Sequence, residues 1–160
     1  MEKATSCIES MLSGKEPGKN VVIIGGGDTG IDYGVQLAKT GHNVFVIHHG
    51  KMIAKDSQMM HSYSTLEETI RGLDNMTIAL GSVPTKINDD SVEYTVLETG
   101  EVLTVPADSV FYAVGLKPQH DAAMALMAAA GCETYEMGDC KRPSGLERVN
   151  RDALGAATRL

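Results

Sequence analysis

The sequence predicts an α/β fold in three layers, a parallel sheet with helices and an added antiparallel β-meander. Three observations predict it. Val21-Val22-Ile23-Ile24 is an unbroken β-branched run, the pattern of a strand buried on both faces. Gly25, Gly27 and Gly30 follow at G-x-G-x-x-G spacing and lead into a helical pattern, and Val44 to Ile47 then forms a second apolar run. From Thr85 onward, short stretches of alternating apolar and polar residues lie between turns, as half-solvated antiparallel strands require.

The elements follow in order. Residues 1–12 read as a short helix with Ile8, Met11 and Leu12 on one side, and 13–20 as a loop by their Gly and Pro content. Val21 to Ile24 is the first strand. The helix after it runs from Asp28 to Thr40, with Ile31, Val35, Leu37 and Ala38 on its apolar side and Gly41 as its stop. Val44 to Ile47 is the second strand. Residues 51–61, polar and methionine-bearing, read as a loop or lid, 62–73 as a helix and Met76 to Leu80 as a third strand. The meander carries Ile87, Val92, Tyr94, Val96, Leu103 and Val105, with turns at Asn88-Asp89-Asp90 and Glu98-Thr99-Gly100-Glu101. Val110 to Val114 is another buried run. A helix over Ala122 to Ala130, a short strand over Tyr135 to Met137 and a last helix over Leu146 to Leu160 complete the chain. That closing strand and helix do not bury both faces on their own, so the tail needs a partner.

Composition narrows the function. The chain has 160 residues, enough for one domain or one domain plus a piece of another. Its formal net charge of −7 argues against nonspecific binding to nucleic acid or acidic membranes. No apolar run approaches the roughly 18 residues of a membrane span, and the N-terminus lacks a basic-then-apolar leader. Cys7, Cys132 and Cys140 form no C-x-x-C pair, which suits a reducing cytoplasm and leaves no metal-ligand spacing. No Ser-His-Asp order, H-E-x-x-H helix or P-loop lysine is present, so no side chain is assigned a catalytic role.

The glycine turn carries the chemistry. Its first glycine permits a tight turn, its second lets backbone approach a pyrophosphate, and its third lets helix and strand pack closely. A pyrophosphate there would meet unpaired N–H groups at the positive end of a helix dipole. Gly25, Gly26, Gly27, Asp28, Thr29 and Gly30 are therefore the candidate cofactor-binding residues of a Rossmann-like FAD/NAD(P)-binding domain. The alternative is a purely structural β–α turn, with Asp28 as helix cap. NAD-binding versions place an acid at the end of the second strand, about twenty residues on, to hold the ribose 2′-hydroxyl. Here that place holds His48-His49-Gly50-Lys51. Two imidazoles and an ammonium favour a 2′-phosphate, so NADP(H) is favoured over NAD(H), unless these are merely exposed loop residues. The adjacent histidines are expected to point apart, and no nearby Cys or Asp completes a metal site. Ala113, Val114 and Gly115 end a buried strand at the carboxyl edge of the sheet, where ligands bind, or else form an ordinary turn closed by Pro118. Gly138-Asp139 before a helix either holds a hydroxyl or ribityl group or caps that helix.

The order of Val21–Gly30, Ala113–Pro118 and Met137-Gly138-Asp139-Cys140 resembles the pyridine nucleotide–disulfide oxidoreductase superfamily. Within it the chain is most similar to the C-terminal part of the large NADH:flavin oxidoreductases of the 2,4-dienoyl-CoA reductase, trimethylamine dehydrogenase and enoate reductase type. The resemblance implies that Gly25, Gly27 and Gly30 face the dinucleotide pyrophosphate. It also implies that Asp32 lies near the nicotinamide end, Gly115 beside the cofactor and Asp139 at the flavin. It implies three segments: 1–18 as a crossover, 19–118 as the NAD(P)-binding domain and 119–160 as the end of a flavin-binding domain. Complete members add a barrel with FMN, often a 4Fe–4S cluster, and a discontinuous FAD domain. This chain has one glycine-rich motif, no barrel and no cluster cysteines. The expectation is a piece of a longer polypeptide, partnered by the missing FAD-domain and FMN-barrel segments. It would bind nucleotide without completing catalysis. A stand-alone nucleotide-sensing module is the alternative from another class. A thioredoxin-reductase-like enzyme is disfavoured by the missing C-x-x-C.

Overall fold

The computed structural model describes residues 4–55, 57–59 and 63–158, so the expected lid over 51–61 and the start of the helix after it lie partly outside the described residues. The chain falls into two compact units, Met1–Val114 and Gly115–Leu160.

The first unit holds a five-stranded parallel sheet in the order β1-β8-β2-β3-β4. Its strands are β1 (Thr5–Ser6), β2 (Asn20–Ile24), β3 (Asn43–Ile47), β4 (Met76–Ala79) and β8 (Ser109–Tyr112). β2 pairs with β3 from Asn20↔Asn43 to Ile24↔Ile47, and with β8 from Val21↔Ser109 to Ile24↔Tyr112. Among its described residues this unit has three α-helices, α1 (Cys7–Ser13), α2 (Asp28–Lys39) and α3 (Tyr63–Arg71). β5 (Ser82–Ile87), β6 (Ser91–Val96) and β7 (Val102–Pro106) form a separate antiparallel sheet, the expected meander.

The period of two along the strands splits the core into two layers. Val21, Ile23, Val44 and Val46 point to the helical side, where they pack with Ile31, Tyr33, Val35 and Leu37 of α2. Val22, Ile24 and Ile47 point to the other side and pack with Val92 and Tyr94 of the meander. The parallel sheet is thus covered on both faces, which is why β2 needs four consecutive apolar residues. At the end of α2, Gly41 adopts φ +97° and its N–H donates to the Ala38 carbonyl. The Asn75 amide donates to the Ala38 and His42 carbonyls at 2.8 and 2.7 Å, satisfying the last turn. Ile23 is fully buried in the central strand. Ile23→Ala is expected to cost about 2–5 kcal/mol by cavity formation, read as a lower midpoint in chemical denaturation; a change below about 1 kcal/mol would mean that this layer is not packed as described.

Two differences from the sequence expectation have clear causes. Among the described residues of the segment 1–12, the helix starts only at Cys7: Thr5–Ser6 is extended because it pairs with Phe111 and Tyr112 of β8. The expected strand over Tyr135–Met137 does not form. The second unit contains no strand among its described residues, and a strand without a ladder partner leaves its backbone groups unpaired.

The second unit consists of α4 (His120–Ala129), a short 3-10 turn at Gly138–Cys140 and α5 (Leu146–Ala157). Gly138 is its only buried residue among those described, and it packs against Val149. Met124, Leu126, Leu146 and Leu154 are exposed.

Candidate functional site

The strand order puts β8 on one side of β2 and β3 on the other. The chain therefore leaves the C-terminal end of β2 at the point where connections run in opposite directions, the usual crevice for ligands in open α/β sheets. Neighbouring strand ends tie the turn down. The Gly25 N–H donates to the Ile47 carbonyl at 2.9 Å, and the Ala113 N–H donates to the Ile24 carbonyl at 2.8 Å.

Each glycine of the motif meets a different constraint. Gly25 has φ +111°, and a Cβ there would stand 2.3 Å from the Ala113 carbonyl oxygen. A Cβ on Gly30 would stand 2.0 Å from the Gly25 carbonyl oxygen. Both positions are closed by backbone. Gly27 is different: it is exposed, and a Cβ there would meet nothing within 4 Å. It is the N-cap of α2 and makes no side-chain cap bond. No side chain caps the first turn of α2, whose N–H groups stand at the positive end of the helix dipole.

Asp28 does not cap the helix, since Gly27 holds that position. Its Oδ1 is buried and has no hydrogen-bond partner in the structure. A buried acceptor without a donor is costly, and a ligand hydroxyl is the kind of group that would satisfy it. Thr29 is exposed beside it. Asp32 lies one helical turn on; partial burial, and secondarily the Asp28 charge, push its carboxyl above the usual range.

His48 is part of the turn itself. Its Nδ1 accepts from the Gly26 N–H at 3.1 Å, and its Nε2 lies 2.9 Å from the Met52 carbonyl oxygen. A carbonyl only accepts, so Nε2 carries the proton and the ring is the neutral tautomer. Burial lowers the His48 pKa; the Met52 carbonyl raises it and the neighbouring His49 lowers it, each by less. The loop beyond is latched to the same glycine, because the Ala54 N–H donates to the Gly26 carbonyl at 2.8 Å. Ala54 is fully buried at φ +44°. Sequence reasoning missed this latch; Met52 and Ala54 contribute backbone, which leaves no side-chain signal.

His49 and Lys51 line a cavity of ≈ 640 Å³ with Leu80, Gly81, Val96, Leu97 and Glu98. The two histidines do not point apart: their rings meet edge to face, with centroids 4.9 Å apart. Among the described residues, no cluster of three His, Cys, Asp or Glu could hold a metal. Cavities of ≈ 340 and ≈ 270 Å³ lie at the opposite end of the sheet, beside Asp108 and Asn20 respectively, away from the turn.

Ala113 follows β8 directly and lies beside Gly25, while Val114 is exposed. Gly115 and Asp139 belong to the second unit. Gly115 has φ +102° and open space at its Cβ position. Gly138 has φ +68°, and the Asp139 Oδ1 accepts from the Ser144 N–H at 3.3 Å, just ahead of α5.

The family model for "Pyridine nucleotide-disulphide oxidoreductase" matches residues 3–147. The chain belongs to this family. Its fold matches 2-naphthoyl-CoA reductase with a TM-score of 0.85 at 26% identity, covering 99% of this chain and 24% of that one. Histamine dehydrogenase from Rhizobium sp. 4-9 matches with a TM-score of 0.80 and 17% identity, covering 99% of this chain and 26% of that one; at that identity the likeness is one of fold. The thioredoxin reductase of Chlamydia pneumoniae is 32% identical over 107 residues, which is 64% of this chain and 32% of that protein. The chain thus spans about a quarter to a third of these relatives. Membership in the family bears out the resemblance drawn from the motif order, and the two-sheet architecture bears out the expected fold class. No helix among the described residues is long and apolar enough to cross a membrane.

Proposed function

We propose that this chain is the pyridine-nucleotide domain of a flavin-dependent NAD(P)H oxidoreductase. The observation that carries the reading is the Gly25–Gly30 turn. Two of its glycines are closed by backbone, whereas Gly27 has open space at its Cβ position and no side chain caps the first turn of α2. A diphosphate fits that space, because it supplies the negative charge and acceptors that orphan helix amides lack.

In this reading Gly27, Asp28 and Thr29 present their amides to the pyrophosphate. Asp28 accepts a ribose hydroxyl at its unpartnered oxygen. Asp32, Ala113 and Val114 border the nicotinamide end. When bound, NAD(P)H supplies the hydride that the flavin accepts. The residues here orient the dinucleotide and exclude water. Gly138 and Asp139 would contribute to the flavin site only when the rest of the FAD domain is present. FMN and a 4Fe–4S cluster would then belong to the remainder of a longer polypeptide, and this chain alone would bind without turning over.

The His48-His49-Gly50-Lys51 segment supports NADP(H), with a refinement. Both ring nitrogens of His48 are engaged by backbone, so the 2′-phosphate contact falls to His49 and Lys51 on the ≈ 640 Å³ cavity. Glu98 on the same cavity opposes that preference. Calorimetric titration with NADPH and NADH tests both levels. Lys51→Glu is expected to weaken NADPH about five- to tenfold, as reversal of an exposed charge beside a dianion should, and to change NADH by less than about twofold. Equal losses for both would defeat the 2′-phosphate reading, and no binding of either by the wild-type chain would defeat the dinucleotide site.

A further inference from the structure

We propose that His48 is a positioning residue, a neutral imidazole latch that fixes the glycine turn to the Gly50–Ala54 loop and makes dinucleotide binding weaken in acid. The inference rests on the dinucleotide reading of the turn, but its first half stands on geometry alone. Gly26 is held on both its polar groups: its N–H by His48 Nδ1, and its carbonyl by the Ala54 N–H. The same ring closes onto the Met52 carbonyl through Nε2. Two glycines make room for it. A Cβ on Gly26 would lie 2.9 Å from the His48 Cγ, and a Cβ on Gly50 would lie 2.7 Å from its Nε2. One side chain thus joins the turn after β2 to the loop after β3, in a slot that a Cβ on either glycine would crowd.

The latch works in one protonation state. Nδ1 must be bare to accept from Gly26, so a second proton replaces an acceptor with a donor facing a donor. The turn presents glycine backbone to the ring, and the loop presents Gly50, Met52, Ile53 and Ala54, none of them titratable. From its own strand end, His49 faces the ring at 4.9 Å, and Lys51 is exposed in the loop. The sign follows. A histidine whose folded pKa is depressed contributes stability that is present above its unfolded value, about 6.5, and is lost as the pH falls through the folded value. One group near the turn acts in the opposite direction. Protonation of Asp32, whose carboxyl is already pushed upward, makes the site less negative and would tighten an anion.

ADP-ribose is the suitable probe, because it lacks the 2′-phosphate that also titrates in this range. Its affinity for the wild-type chain is expected to fall about fivefold between pH 7.5 and pH 5.0, the worth of one backbone hydrogen bond. His48→Asn, whose side-chain carbonyl accepts from Gly26 at any pH, is expected to keep most of the affinity and to flatten the profile. His48→Ala is expected to lose affinity at both pH values. Nitrogen-15 spectra of the unliganded chain read the latch separately: a bare Nδ1 and a protonated Nε2 at pH 7.5, with the Gly26 amide resonance moving as the ring titrates. A protonated Nδ1 at pH 7.5, or a His48→Asn profile as steep as wild type, would overturn the latch. A correct imidazole signature with no ADP-ribose binding would leave the latch standing and sink the dinucleotide site instead.

Discussion

Replacing Gly27 with alanine is expected to leave the fold intact and to weaken dinucleotide binding by at least about tenfold, as one methyl forced into a close contact does. The backbone at Gly27 has φ −72° and ψ 178°, a conformation open to any residue. A Cβ there touches nothing within 4 Å, so no native contact is lost or strained. Exposed substitutions of this kind stay within about 0.5 kcal/mol, and the lost backbone freedom of the unfolded chain adds a small stabilisation. The same methyl would stand in front of the first amides of α2, where the proposed pyrophosphate must approach. Melting temperature and dissociation constant measured on one preparation separate the two effects. Unchanged melting with weakened binding is the expected pair. A lowered melting temperature would make Gly27 a structural glycine, and unchanged affinity would remove the pyrophosphate from the turn.

Gly25→Ala should distribute its damage the other way. At φ +111° a side chain is strained by about 1–3 kcal/mol. The added Cβ would also lie 2.3 Å from the Ala113 carbonyl oxygen and 2.8 Å from its carbon. These are backbone atoms at the end of β8, where the Ala113 N–H is hydrogen-bonded to Ile24, so they do not swing away as a side-chain tip would. Overpacking of that sort adds about 1–3 kcal/mol. The total, on the order of 2–6 kcal/mol, is a large part of a domain's stability, and binding should be lost with it. Chemical denaturation checks the figure. A midpoint within error of wild type would mean that the turn and β8 are not in contact as described.

The contrast between these two glycines shows what was legible in the sequence. The order of strands and helices came through because its signals are local: four β-branched residues for β2, glycine spacing for the turn, Gly41 for the end of α2. β1 was illegible because two residues form a strand only by lying against Phe111 and Tyr112. Tyr135–Met137 failed for the complementary reason, having strand-like residues without a partner strand. Within the site, the motif located the turn and gave Gly25 and Gly27 different roles, but the contact that closes Gly25 was out of its reach, because it comes from Ala113, some ninety positions away. The reading of His48 as a phosphate partner considered its charge and position. It missed that Gly26 and Met52 occupy both nitrogens, since those partners are backbone. Asp28 was ambiguous between cap and ligand, and the cap assignment of Gly27 removes the first role.

An amide-resolved titration of the nitrogen-15-labelled chain with NADPH tests most directly whether the first turn of α2 is a pyrophosphate cradle. The expected result is that the Gly27, Asp28 and Thr29 amides shift most and together, at the same midpoint as Lys51, while amides beside Asp108 and Asn20 at the opposite end of the sheet stay still. Saturable shifts at those distant positions with the Gly27–Thr29 amides unmoved would contradict the account.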